Sequence, residues 1–396
     1  MLLKRWNIKL RKWSVMLMKR NKKHNSLDKR SSKMYNKSKN KNKQSNGVLR
    51  MKKMESQLVE LLEIHAHSGN EKPVRDYLAL TLCKEKLVDT MHVDEYGNLL
   101  GQKTFGNGKG ATVLLSAHMD TVTNVKLFKE LIIENGSIRA EMPDGKGSAL
   151  GADDRAGIAI ILTVLRNMDK VNFNGKVLVA FSREEEIGCV GASKIREEWY
   201  EGTDLAIVCD RRGNNDIVVG CWSAFCSDEV GNFMENVSEL AGLDYKCVEG
   251  GISDACTFSE AGINAINLSC GYYNEHTDKE YVVISEMKRT VKLIMQTFGV
   301  INDFCHTFGE VPPQNEWVAN TMGRYQYKDV AYYEDMFMEE FVEDLFAQVE
   351  DDKGDTIVYE FGNNVIINQG KDEIILSKKS LKSLVEQLHG SLRTHN

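Results

Sequence analysis

The chain contains no C-x-x-C pair, and its nine cysteines are an odd number. Several sit inside apolar runs, as Cys209 does in LAIVC. This argues against a zinc knuckle or a disulfide framework and for small buried hydrophobes in a reducing compartment, so the expected location is the cytoplasm. No stretch beyond the N-terminal region approaches the ~18 consecutive apolar residues of a membrane span. The N-terminal region lacks a clean secretory apolar core followed by a small-residue cleavage site. It is also nearly free of acids: residues 1–53 hold 19 Lys/Arg and one acid, Asp28, whereas the rest of the chain is net −24. The overall charge of −6 therefore hides a basic leader on an acidic body.

The leader admits three readings. MLLKRWNIKLRKWSVMLMKR can form a basic amphipathic helix for a membrane surface or a targeting step. NKSKNKNKQSN can serve as a nucleic-acid tail. The reading adopted is an unstructured extension, or sequence upstream of a true start at Met51 or Met54, because it is rich in Asn, Lys and Ser and nothing later depends on it. No specific nucleic-acid partner and no membrane span are expected. With 396 residues there is room for one large α/β domain plus additions. The expected division is a basic disordered extension over 1–53, a catalytic domain over 54–304, and a linker with a small α+β module over 305–396.

Hydrophobic spacing supports this division. Leu58, Leu61, Leu62 and Ile64 have helical spacing, and VRDYLALTLCKEKL reads as a second helix after the loop HSGNEKP. MHVDEYGNLLG reads as a hairpin turning near Gly97, and ELIIENGSIRAE as another turning at Asn135-Gly136. Then strands (ATVLLSAH, KVLVAFS, LAIVC, INAINLSC) alternate with helices (RAGIAIILTVLRNM, SKIREEWY, SDEVGNFMENVSELAGL, DACTFSEAG and the run beginning near Ser285). That order predicts an α/β fold, a mostly parallel sheet sandwiched by helices. Beyond the irregular stretch around Pro312-Pro313 come an acidic helix (YYEDMFMEEFVEDLFAQVEDD), three short strands (TIVYEF, NVIINQ, EIILS) and a last helix (KKSLKSLVEQL). No chemistry is evident in that module.

Six carboxylates and two histidines are ordered along the body: His118-x-Asp120, Asp153-Asp154, Glu185-Glu186, Asp210 and His276. Most stand where an apolar run stops, which places them at the carboxyl edge of the sheet, where open α/β folds keep their pockets. Such a set suits a divalent metal, most naturally zinc. Two residues apart at a strand end, His118 and Asp120 point the same way, so the carboxylate can hold the imidazole's second nitrogen. One carboxylate of Asp153-Asp154 can bridge two ions, although either can also be an ordinary helix cap. Of Glu185 and Glu186, one can ligate while the other stays a base for an activated water; a solvated acidic turn is the plain alternative, and Glu184 fits that. Asp210 is too costly to bury without a partner. Three anionic ligands with two neutral imidazoles and a shared hydroxide give −4, which balances two divalent ions and overshoots one.

The order H-x-D, D-D, E-E, D, H resembles the co-catalytic di-zinc exopeptidase superfamily of tripeptidase T, glutamyl aminopeptidase and the lidless leucyl-type aminopeptidases. SAHMDTV, ALGADDRAG and EEEIG are most similar to tripeptidase T; SDACTFSEAGINAINL and EHTDKEY are more similar to the lidless enzymes. The likeness covers about residues 54–300. It implies that His118 and Asp210 hold one ion, Glu186 and His276 the other, and that Asp153 bridges them. It further implies that Glu185 is the general base, that Asp120 orients His118, and that the Asp153–Asp154 peptide is cis. Two zinc ions are expected, with cobalt or manganese as alternatives. The chain departs from the pattern in two respects. The gaps between motifs are too short for an inserted lid domain, so none is expected. Val248-Glu249-Gly250-Gly251 also lacks the arginine that precedes G-G-T-D in tripeptidase-like enzymes. Tyr272 or Tyr273 can donate to an oxyanion, or simply pack.

The expected function is a metal-dependent exopeptidase, an aminopeptidase or tripeptidase acting on short peptides. An amidohydrolase, deacylase or carboxypeptidase on the same site is the alternative within the class. A non-catalytic interaction protein that retains the fold is the alternative outside it. Side-chain preference and oligomeric state are not legible in the sequence.

Overall fold

The computed structural model describes residues 53–312 and three strands between 356 and 377. The basic extension, apart from Lys53, lies outside the described residues, as do both helices expected in the C-terminal module.

Two helices open the body. Helix α1 spans residues 53–62. Helix α2 (Lys72–Lys84) has proline in its first turn, where the missing N–H costs nothing, and buries Val74, Leu78 and Leu82 at four-residue spacing. Strands β1 (Thr90–Val93) and β2 (Leu99–Phe105) form the first expected hairpin. In its turn, the Asp94 carboxylate accepts from the backbone N–H groups of Tyr96, Gly97 and Asn98.

The centre of the main sheet is β7 (Gly175–Ser182), β3 (Thr112–His118), β8 (Leu205–Arg211) and β12 (Ala265–Ser269), side by side and parallel. Their residues alternate between two cores, as a pleated strand covered on both faces requires. Val113, Leu115, Ala117, Val177, Val179, Phe181, Leu205 and Ile207 join one core. Leu114, Leu178, Ala180, Ala206 and Val208 join the other. The first core packs against α3 (Ala152–Asn167), α5 (Asp228–Leu240) and α7 (Ile284–Val300). The second is closed by α4 (Glu197–Tyr200) and α6 (Asp254–Glu260).

Outside this centre the pairing is mostly antiparallel. β1 and β2 are antiparallel additions on one side, and on the other β12 pairs antiparallel with β9 (Asp216–Cys221), which carries β10 (Ser223–Ala224) and the parallel β11 (Lys246–Glu249). The sheet is thus mixed, and β9 is a strand the sequence reading does not assign. The expected helix SKIREEWY is instead a 3-10 turn (Ala192–Lys194) followed by the single-turn α4, because Arg196 between them is extended.

The segment between Asp120 and Asp153 builds no domain. It forms β4 (Glu130–Glu134), β5 (Ser137–Glu141) and β6 (Gly147–Ser148), and β5 pairs with β14 (Tyr281–Val283), which in turn pairs with β13 (Tyr272–Tyr273). The β4–β5 turn is Asn135-Gly136 as expected, both residues at positive φ. The body does not stop at residue 304: Phe308 stacks on Phe233, and the Gly309 carbonyl accepts from Asn264. The three strands of the module, β15 (Thr356–Phe361), β16 (Asn364–Gln369) and β17 (Asp372–Ser377), form an antiparallel meander.

Candidate metal centre

Parallel pairing sets the ends of β3, β7 and β8 level. His118 is opposite Ser182, so the residues after β7, Glu185 and Glu186, emerge beside it. Asp210 stands near the end of β8, the other neighbour of β3. Asp153 enters from the start of α3, and His276 from the loop between β13 and β14. The sequence-expected residues therefore converge from five separate connections.

Asp153 is central. Its Oδ1 lies 3.0 Å from His118 Nε2, while Oδ2 lies 3.4 Å from His276 Nε2. On the first side, Asp210 Oδ1 is 3.4 Å from the same His118 nitrogen. On the second, Glu186 Oε2 is 2.8 Å from His276 Nε2. Glu185 Oε2 stands 3.8 Å from His118 Nε2. All are buried or nearly so; His276, with 19% of its side chain exposed, is the most open. The Asp153–Asp154 peptide is cis.

The electrostatics of this cluster call for cations. Burial, reinforced by neighbouring carboxylates, pushes the carboxyls of Glu185 and Glu186 above their usual range and that of Asp210 up to about 8. Burial acts on Asp153 too, but the hydrogen bond with His118 and the charges of His118 and His276 hold it well below the carboxylate range. Both imidazoles are raised well above 6.5 against burial, His118 first by the charge of Asp210 and His276 first by that of Glu186. Glu186 Oε1 and both ring nitrogens of His276 are buried without a hydrogen-bond partner. Acidic groups holding protons and donors left unpaired fit divalent ions, which would take the place of those protons. His118, Asp153 and Glu186, and likewise His118, Glu185 and Asp210, bring donor atoms within 4.8 Å of one another.

Asp120 does more than face His118. Its Oδ1 is 3.3 Å from His118 Nδ1, an ion-pair distance without aligned hydrogen-bond geometry. The same carboxylate accepts from the backbone N–H groups of Glu185 (3.0 Å) and Glu186 (3.2 Å) and from the Ser68 hydroxyl (2.8 Å). One side chain thus fixes the ends of both β3 and β7. Asp154 has an oxygen within 4.8 Å of oxygens of Asp153 and Asp210, but its hydrogen bonds go to backbone. It accepts from the His118 and Gly157 N–H groups, tying the start of α3 to the end of β3.

Several supporting residues escape the sequence reading. Glu280 is buried and accepts from four successive N–H groups, those of Leu150, Gly151, Ala152 and Asp153, at 2.7–3.2 Å. Buried Arg155 donates to the Met119 carbonyl (2.7 Å) and brings a positive charge close behind the acids. Asn267 closes a pair of hydrogen bonds on the Asp210 backbone. No local pattern announces any of the three, since each acts on backbone far away in sequence. Of the two tyrosines, Tyr273 donates to Glu286 (2.7 Å) and stacks on Tyr281, and Tyr272 donates to Asp210 Oδ1 (3.2 Å). Both hydroxyls are engaged, and the one beside the centre supports Asp210 instead of facing an oxyanion.

Comparison with known proteins agrees with this geometry. Residues 132–293 match the model of the Peptidase M42 family, described as M42 glutamyl aminopeptidase. Peptidase T of Halothermothrix orenii is 32% identical over 158 residues, 32% of this chain and 38% of that protein. The cytosol non-specific dipeptidase of Escherichia coli is 31% identical over 163 residues, 39% of this chain and 32% of that protein. The chain thus spans well under half the length of these curated relatives. Among solved structures, aminopeptidase PepT from Bacillus cereus superposes with a TM-score of 0.56 at 17% identity, covering 63% of this chain and 98% of that one. A tripeptidase from Staphylococcus aureus gives 0.55 at 16% identity, covering 64% and 99%. The fold is the one these two peptidase structures share. The segment matched by the family model carries Asp153, Glu185, Glu186, Asp210 and His276, and His118 and Asp120 lie before it.

Proposed function

We propose that this chain is a metal-dependent exopeptidase, an aminopeptidase or tripeptidase that hydrolyses short peptides. The observation that carries the reading is the division of Asp153, one oxygen towards His118 and the other towards His276. His118 and Asp210 would hold one divalent ion and Glu186 and His276 the other, and Asp153 would serve both; zinc is the first choice, cobalt or manganese the next. Such ions supply Lewis acidity, polarising the scissile carbonyl and easing deprotonation of water. Glu185, outside both ligand pairs, takes the proton of the attacking water on its carboxylate and passes it to the leaving amine. Asp120 holds the His118 ring and the Glu185-Glu186 backbone in place, and Glu280 holds the Asp153 loop. The name of the Escherichia coli relative and the nine free thiols support a cytoplasmic location. Among the described residues, no helix is long and apolar enough to cross a membrane. The proposed domain runs from residue 54 to about 309, with the β15–β17 meander part of a separate module.

The test is turnover of a mixed di- and tripeptide panel by zinc-loaded protein, with products identified at both ends. Release of the amino-terminal residue is expected. Release of the carboxyl-terminal residue would make it a carboxypeptidase, and cleavage confined to acylated substrates a deacylase. Absence of both metal and turnover would leave only an interaction protein with this fold.

A further inference from the structure

Glu185 differs from the other acids of the centre in how little holds it. Asp153, Glu186 and Asp210 each face a histidine within 3.4 Å, and Asp120 accepts three hydrogen bonds. Among the described residues, the Glu185 carboxyl accepts one hydrogen bond, from the Cys189 thiol, at 3.4 Å from Sγ to Oε1. The turn between them is tight: the N–H groups of Gly188 and Cys189 both donate to the Glu185 carbonyl at 2.8 Å. Cys189 sits at φ +54, a left-handed conformation uncommon for a side chain of this kind, and is 5% exposed.

We propose that Cys189 is a positioning residue for the general base. Its S–H lies on Oε1 of Glu185, with the buried Asp254 carboxyl as the competing acceptor, and Oε2 is left facing the His118 side of the centre, where the attacking water must lose its proton. A carboxyl turning about its last torsion has a broad, roughly two-fold preference, so one donor on one oxygen decides which oxygen is presented. The thiol is suited to the task because it remains a donor. Burial, together with the charges of Glu185 and Asp254, keeps it protonated. This role rests on the base function proposed for Glu185.

The test compares wild type, Cys189→Ala and Cys189→Ser, all zinc-loaded, on a peptide the wild type cleaves. Cys189→Ala is expected to lower kcat about 2- to 12-fold, the net worth of one ordinary hydrogen bond, since a thiol is a weak donor, with KM and bound metal unchanged. Cys189→Ser, which keeps a donor, is expected to recover most of the loss. A crystal structure of the Ala variant should show the Glu185 carboxyl in more than one orientation. Wild-type kcat in the Ala variant, equal losses in Ala and Ser, or a single unchanged Glu185 conformer would each overturn the role. If the wild type cleaves no peptide, the peptidase reading fails first, and the conformer of Glu185 alone decides this one.

Discussion

Glu185 and Glu186 are adjacent in sequence yet face different tasks, and substitution separates them. Glu185→Gln keeps the shape but cannot accept a proton, so kcat should fall at least about 10³-fold while elemental analysis still finds both metals bound. Retained turnover would move the base elsewhere. Asp120 tests the support beneath. Replacing one of its oxygens with an amide, in Asp120→Asn, sets a donor against the N–H groups of Glu185 or Glu186. Zinc affinity should drop about 10- to 100-fold, measurable by competition with a chelator. At this scale the sequence was highly legible. His118, Glu186 and Asp210 converge because each ends or follows an apolar run whose parallel pairing fixes where it stops; Asp153 and His276 are brought to them by a helix start and an antiparallel loop. Glu280 and Asn267 were not legible, since a carboxylate or amide that serves distant backbone leaves no mark on its own neighbours.

At the scale of elements, the centre depends on how closely α3 lies on the sheet. A methyl group at Gly157 would stand 1.8 Å from the Cys209 carbonyl oxygen and 2.4 Å from Asp154 Oδ1. Gly157→Ala should therefore push α3 off β8 and destabilise the protein by about 3 kcal/mol, read from urea denaturation with metal present. Glu280→Gln should cost a similar amount, about 3 kcal/mol, by turning an amide N–H towards donors that need an acceptor, and it should lower kcat through Asp153. The hairpins and central strands were legible from turn chemistry and apolar runs. β9 was not, because IVVGC is short, ends in glycine and cysteine, and pairs with β12 over only two residues. The helix expected in SKIREEWY failed for a related reason: Ile195 and Tyr200 are drawn into the second core by tertiary packing, which overrides local helical preference.

For the whole molecule, stability should depend on pH in a way that metal suppresses. In the metal-free protein, Asp210 holds its proton to about 8 and Glu280 to about 7, both chiefly through burial, and the two centre histidines are raised by the acids facing them. All these groups bind more protons folded than unfolded. Their stabilisation is complete at low pH and is lost as pH rises through the folded values. Tm of the stripped protein should therefore fall as pH rises from about 4, the ordinary carboxyl value, to about 8, the folded value of Asp210. Saturating zinc should abolish the slope and raise Tm, because ions bound only to the folded state add to its stability. A pH-independent Tm after stripping would count against the cluster as a cation site.

The spacing of the donors along the chain has a further consequence for synthesis. The first half of the centre can be assembled once Asp210 has left the ribosome, but the second needs His276, and the loop bearing Asp153 is unclamped until Glu280 follows. A nascent chain stalled between these positions carries a half-built acidic pocket without its last imidazole. Metal uptake should thus be a late event in the life of each molecule, and a chain truncated before residue 276 should retain at most one ion.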